Sequence, residues 1–145
     1  MNTIRTNDSC FDVLWSKKDD IISKFADRFG NIDTGVKNAE IRIVTRFDSY
    51  KLVFSGYEGK VPNDTKYFNK VQLKLYHKMS DRREYTEITS RDFDVKGLLL
   101  DKSQLRDMVK SCYYYILGSL YNYEVINEAS WAEYEISKLS ENNNI

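Results

Sequence analysis

The spacing of apolar residues near the N-terminus predicts an amphipathic helix over residues 9–29. Steps of three and four residues place its large apolar side chains on one face. These side chains are Phe11, Leu14, Trp15, Ile22, Phe25 and Phe29. Asp8 or Ser9 can cap the start of this helix, and Gly30 can end it. We expect the polar residues 1–8 to form a flexible end.

The middle of the chain changes to a repeat of two, which is typical of half-buried strands. In the first strand, apolar and polar residues alternate, with Ile41, Ile43, Thr45 and Phe47 on one side and Glu40, Arg42, Val44 and Arg46 on the other. The predicted strands are residues 40–47, 50–57, 69–79 and 84–89, with a loop over residues 56–64. The short connections favour an antiparallel meander that has one packed face and one wet face.

From residue 101 the helical period returns. Asp101 and Gln104 resemble a capping box, and apolar stripes follow over residues 105–120 and 125–139. Residues 122–127 interrupt the pattern, so we expect two helices, with one long helix as the alternative, and a frayed tail over residues 141–145. The sequence therefore predicts a single α+β domain over residues 1–145. It comprises an N-terminal helix, a four-stranded antiparallel sheet and two C-terminal helices packed on one sheet face.

A tyrosine-rich segment over residues 112–123 has more apolar surface than one helix face can bury. Tyr114 and Tyr121 lie seven residues apart, on nearly the same side of the helix and outside the core stripe. Tyrosine is enriched at protein interfaces. We expect a homodimer through the helix over residues 101–123, or contact with another protein. The alternative is that the rings pack over the sheet edge within the monomer.

Composition narrows the class of protein. Of the 145 residues, 41% are hydrophobic and 30% are charged, which is ordinary for a globular domain, and the formal net charge is zero. A zero net charge gives no bulk signal for nucleic acid or for a membrane surface. No apolar segment is long enough to span a membrane, and two cysteines are too few for a disulfide framework. We therefore expect a cytoplasmic protein of a bacterium, or of a virus in the cytoplasm of its host.

The candidate catalytic residues are few. His77, the one histidine, shares a face with the apolar residues of its strand, so a hydrogen-bonded boundary position is expected unless the fold brings it a carboxylate or a nucleophile. Cys112 lies on an apolar stripe and is expected to be an inert packed thiol. Neither Cys10 nor Cys112 has neighbouring residues at metal-ligand spacing. We expect no cofactor and no metal.

Asp48 together with Glu58 and Lys60 is the best enzyme-like spacing, because such a set can hold Mg²⁺ and activate water in small nucleases. The pattern is short and falls at the entrance of a predicted loop. A small Mg²⁺-dependent hydrolase is therefore retained as an alternative function. No phosphate-binding glycine loop is present in the sequence.

The outer face of the predicted sheet is basic. Residues 66–83 hold six Lys or Arg residues against one acidic residue, Asp81. The predicted partner-binding residues of this face are Arg42, Arg46, Lys51, Tyr57, Lys70, Lys74, Tyr76 and Lys78. Such a face can be merely solvated, can dock an acidic protein, or can bind phosphates and stack bases. We expect a non-enzymatic protein-binding module of the inhibitor, immunity or counter-defence type, with a nucleic-acid-binding accessory protein as another alternative.

Overall fold

A computed structural model describes the chain at residues 3–29, 36–60, 66–79, 81–94 and 102–143, and the side chains at residues 3–27, 38–56, 71–79, 81–93 and 103–126. Its elements are β1 (Thr3–Arg5), α1 (Cys10–Ser16), α2 (Lys18–Phe29), β2 (Val36–Val44), β3 (Asp48–Lys60), β4 (Lys66–Met79), β5 (Thr86–Asp94) and α3 (Lys102–Asn143). The five described strands form one sheet in the order β1-β2-β3-β4-β5.

The sheet is a meander extended by one short edge strand. Strands β2 to β5 pair antiparallel, and the register places Leu52 opposite both Ile41 and Leu75. Since side chains on a strand alternate between faces, this register gathers the apolar rows on one side. Register shifts follow Tyr57 in β3 and Leu75 in β4.

The core lies between the helices and one face of the sheet. Phe25 of α2 stacks on Phe54 of β3 with ring centroids 5.0 Å apart. The inner rows of β2, β3 and β4 and the stripe of α3 are buried in the same cluster. The buried members from α3 are Leu105, Val109, Cys112, Tyr113, Ile116, Leu117 and Leu120. The α+β class is therefore confirmed, with all three described helices packed on one face of a sheet.

The strand count is the first correction. Thr3–Arg5, within the predicted flexible end, pairs parallel with β2, so the sheet has five strands and is mixed. Ile4 lies opposite Ile43 and packs against the core, which explains why this polar segment joins the sheet.

The strand bounds also differ from those predicted. The second predicted strand extends as β3 to Lys60, through the start of the predicted loop, and the fourth shifts to β5.

The N-terminal helix is divided where one helix is predicted. The side chain of Ser9 accepts a hydrogen bond from the backbone N–H of Asp12, which is the expected cap. α1 then ends at Ser16, Lys17 caps it, and α2 begins at Lys18. The single helix predicted over residues 9–29 is therefore two helices. Leu14, Ile22 and Phe25 of the predicted apolar face are buried in the core, whereas Trp15 is 47% exposed.

The C-terminal segment is one helix where two are predicted. α3 continues through residues 122–127 and into the expected frayed tail, to Asn143. Asparagine lowers helix stability by only about 0.7 kcal/mol relative to alanine, and neither glycine nor proline occurs between residues 119 and 143. Among the described helices, none combines the length and the apolar character that crossing a membrane requires.

Candidate functional site

The open face of the sheet is the first candidate surface. Arg42, Lys51 and Tyr76 lie side by side on β2, β3 and β4, because the register pairs each with the next. They alternate with the buried residues of the same strands, so their side chains point away from the helices. The register thus brings together residues that the sequence predicts for partner binding.

Lysine ammonium groups on this face lie over tyrosine rings. Lys51 Nζ is 5.0 Å from the ring centroid of Tyr76 and 4.5 Å from that of Tyr85, and Lys78 Nζ is 5.1 Å from the same Tyr85 ring. These distances are within the range of cation–π attraction. We call Lys51, Tyr76, Lys78 and Tyr85 the lysine–tyrosine cluster.

Two ion pairs border this cluster. Arg42 Nε lies 2.7 Å from Glu40 Oε1, and Lys74 Nζ lies 3.3 Å from Glu87 Oε1. The hydrogen bond to Glu40 and its charge raise the pKa of the exposed Arg42 guanidinium. The face therefore carries cations and acids together, with cations concentrated at the cluster.

The remaining predicted residues of this face divide into two groups. Tyr57 and Lys70 lie opposite each other in β3 and β4, but their side chains fall outside the described residues. Arg46 is not on a strand, because β2 ends at Val44, and it lines a cleft at one end of the sheet. Phe47, predicted to point inward, is 63% exposed for the same reason.

An aromatic strip lies on the helical layer. It consists of Phe11 and Trp15 of α1 with Tyr114 and Tyr121 of α3. The Phe11 ring stacks on Trp15 at 6.2 Å and meets Tyr121 edge-on at 5.4 Å, and Trp15 meets Tyr114 at 6.3 Å. Tyr121 is 55% exposed. The strip joins both predicted tyrosines to a tryptophan that the sequence pattern assigned to the core.

The end of the sheet holds a cleft of ≈ 1210 Å³ whose lining mixes polar and apolar side chains. At its floor, the His77 ring stacks on Tyr50 with centroids 4.6 Å apart and is only 8% exposed. His77 Nδ1 is 2.5 Å from the Tyr123 hydroxyl oxygen, and Nε2 is 3.1 Å from Asp48 Oδ1. The fold thus brings His77 the carboxylate that the sequence alone could not place.

His77 Nε2 and the Asp48 carboxylate form a close polar contact. Among the described residues, no group makes an aligned hydrogen bond to Nε2, although the Asp48 carboxylate is close. Nε2 itself is buried, whereas Asp48 is partly exposed to the cleft. This arrangement orients the imidazole by a carboxylate on one side and by a phenol on the other.

The thiols give no comparable site, and the set of Asp48, Glu58 and Lys60 lies partly outside the described side chains. Burial raises the pKa of the Cys112 thiol to about 12 and raises that of the Cys10 thiol well above its usual value, so both stay protonated and unreactive at neutral pH. Asp48 faces His77, and the Glu58 and Lys60 side chains fall outside the described residues. Within the described part of the chain, no three His, Cys, Asp or Glu residues cluster as metal ligands do.

Comparison with protein-family models, with curated proteins and with solved structures gives no match for this chain.

Proposed function

We propose that this protein is a non-enzymatic protein-binding module that docks an acidic partner on the open face of its sheet. The observation that carries the proposal is the lysine–tyrosine cluster, which sets two ammonium groups and two phenol rings on the face directed away from the helices. Tyrosine rings provide large contact areas with little side-chain entropy to lose on binding. Lysines held over those rings add charge complementarity to an acidic surface.

The distribution of charge favours a protein over nucleic acid as the partner. Nucleic-acid surfaces draw their affinity from cations free to neutralise successive phosphates. On this face, Arg42 is paired with Glu40 and Lys74 with Glu87, and the chain as a whole has no net charge. Interleaved acids repel a phosphate backbone, whereas a protein surface with predominantly acidic and some basic groups can match both signs.

Such a surface would act by covering part of the partner protein's surface. The size of the chain, 145 residues, suits an inhibitor, immunity or counter-defence protein that covers a functional surface of its target. That assignment rests on analogy of size and class. Two buried, unpaired thiols suit a reducing compartment, and we propose the cytoplasm, of the host if the gene is viral.

A comparative affinity capture from the native cell tests the proposal. The double variant Lys51→Glu, Lys78→Glu reverses both ammonium groups of the cluster. The matched control Lys24→Glu, Arg106→Glu reverses two exposed cations on α2 and α3. We expect wild type and control to retain the same acidic protein after nuclease treatment, and the cluster variant to retain at least about tenfold less.

Two results would overturn this function. The first is equal capture of the same partner by the cluster variant and by wild type. The second is capture that disappears with nuclease and falls steeply with salt, since counterion release marks a nucleic-acid partner. Circular dichroism and urea unfolding of both double variants verify that they are folded. The control reverses exposed charges, at a cost of less than about 1 kcal/mol each, whereas the half-buried Lys51 and Lys78 also lose their contacts with the tyrosine rings.

A further inference from the structure

We infer that the cleft at the end of the sheet binds a small ligand that carries both hydroxyl groups and a phosphate, such as a sugar phosphate or a nucleoside phosphate. The cleft is formed by residues 7–10, the turn before β3, the turn before β5, and the middle of α3. Its volume of ≈ 1210 Å³ is sufficient for a ligand of this size. This inference is independent of the function proposed for the open sheet face.

The polar groups at the floor define one end of the ligand. A hydrogen bond joins His77 Nδ1 to the Tyr123 hydroxyl, and His77 Nε2 lies 3.1 Å from Asp48 Oδ1 without an aligned hydrogen bond. The Asp48 carboxylate and the Tyr123 oxygen both line the cleft.

The floor therefore presents acceptors to the cleft. The Tyr123 oxygen retains a lone pair, and the partly exposed Asp48 carboxylate offers a second acceptor. A ligand that reaches both groups must supply donors, and adjacent sugar hydroxyls have that character. A bare inorganic anion finds no favourable contact at this end.

The rim provides the complement for a phosphate. Arg46 comes from the turn before β3, and Arg82 and Arg83 come from the turn before β5, all three exposed and lining the same cleft. Guanidinium groups bind phosphate through paired N–H donors. The exposed Phe47 ring, 5.0 Å from the Arg46 guanidinium carbon, adds an aromatic surface on which a base can stack.

Acidic side chains in the lining argue against a simple anion site. Asp8 and Glu84 lie among the lining residues, and Glu124 accepts a hydrogen bond from the backbone N–H of Phe11. With Asp48 they make four carboxylates against three arginines, so a ligand must offer hydroxyl donors to the acids as well as a phosphate to the arginines. The ligand must therefore carry both hydrogen-bond donors and acceptors. A phosphorylated sugar carries both, and phosphate alone does not.

Isothermal titration with four probes tests this inference: adenosine 5′-monophosphate, ribose 5-phosphate, ribose and inorganic phosphate. We expect saturable binding of one or both phosphorylated sugars, at least about tenfold tighter than ribose or inorganic phosphate. Preference for the nucleotide identifies a base-stacking site, and equal affinity for both identifies a sugar-phosphate site. No binding of either at millimolar concentration, or equal affinity for inorganic phosphate, overturns it.

Variants separate a ligand site from a merely structural histidine. Arg82→Gln with Arg83→Gln alters only exposed side chains and should weaken binding of the tighter probe about tenfold, while the control Arg106→Gln should leave it unchanged. Tyr123→Phe removes the phenol acceptor and should weaken the binding of that probe relative to inorganic phosphate. Unchanged affinity in the double arginine variant contradicts the assignment.

Discussion

At the scale of single residues, one buried tyrosine hydroxyl in the core has an assigned partner. The Tyr113 side chain is buried in the middle of α3, and its hydroxyl donates to the backbone carbonyl of Leu14, 2.5 Å away. The bond fastens α3 to α1 across 99 residues of sequence. Apolar periodicity alone predicts that this tyrosine faces inward, whereas its partner depends on the packing of two helices.

Replacing Tyr113 with Phe should lower the free energy of unfolding by about 1–2 kcal/mol, because the buried Leu14 carbonyl loses its donor. Urea unfolding followed by circular dichroism measures the change. Tyr114→Phe is the matched control, since Tyr114 is exposed on the same helix, and it should change stability by less than about 0.5 kcal/mol. Equal effects of the two substitutions would contradict the assigned bond.

The buried thiols predict a loss of stability at alkaline pH. Burial raises the folded-state pKa of Cys112 to about 12 and that of Cys10 well above its usual value, whereas unfolded thiols ionise near ~8.5. Above that pH the folded state holds more protons than the unfolded state. The stabilisation is therefore complete below about pH 8 and is lost as pH rises towards the folded-state pKa values.

Urea unfolding at several pH values between 7 and 10 should show this decline, with a slope approaching about 1.4 kcal/mol per pH unit for each thiol. Cys112→Ala should remove one thiol's share of the slope. Burial also raises the pKa values of Tyr50 and Tyr113, which add to the decline above about pH 10. Stability that is flat or rising between pH 8.5 and 10 would contradict the buried state of these groups.

At the scale of elements, alternation within strands predicted which sheet rows are buried. Leu52 and Phe54 are buried in β3, and Val53 between them is not, as a period of two requires. Substituting neighbours on one strand therefore tests which face the helices cover.

Phe54→Ala should cost about 3–5 kcal/mol, because it removes the ring stacked on Phe25 and leaves a cavity. Val53→Ala, on the open face, should cost less than about 1 kcal/mol. Urea unfolding of both variants gives the comparison. If the Val53 change proved the more damaging of the two, the inner and outer faces would be reversed.

Elements that depend on distant contacts were not predictable from local pattern. The strand Thr3–Arg5 is too short and polar for a periodic signal, and only its pairing with β2 makes it a strand. The division of the first helix at Lys17 occurs without proline or glycine. Likewise, the pairing of Asp48 with His77 needs the β3–β4 register, which residue types do not encode locally. Tyr85 precedes β5 and joins the open face by its contacts with Lys51 of β3 and Lys78 of β4.

At the scale of the whole molecule, two surfaces lie on opposite layers. The lysine–tyrosine cluster is on the open sheet face, and the aromatic strip is on the helices. The strip exposes Trp15, Tyr114 and Tyr121 together, which is more contiguous aromatic surface than scattered exposed residues would give. A symmetric pairing of two copies would cover it.

Multi-angle light scattering at micromolar concentration tests this self-association. We expect a mass of twice the 17.1 kDa of one chain, and a monomer for the double variant Tyr114→Glu, Tyr121→Glu. Lys51→Glu with Lys78→Glu should leave the mass of the dimer unchanged, because those residues lie on the other layer. A monomeric wild type would contradict the homodimer and leave the strip to another use.

The central claim is that the open sheet face binds an acidic protein. Site-specific photo-crosslinking in the native cell tests it most directly. A benzophenone amino acid replaces Tyr85 in the lysine–tyrosine cluster, or Tyr121 in the aromatic strip, so that each change is aromatic for aromatic. We predict a covalent adduct with an acidic protein from position 85 and none with that protein from position 121. An adduct with that protein from position 121 alone, or no protein adduct from position 85, would contradict the account.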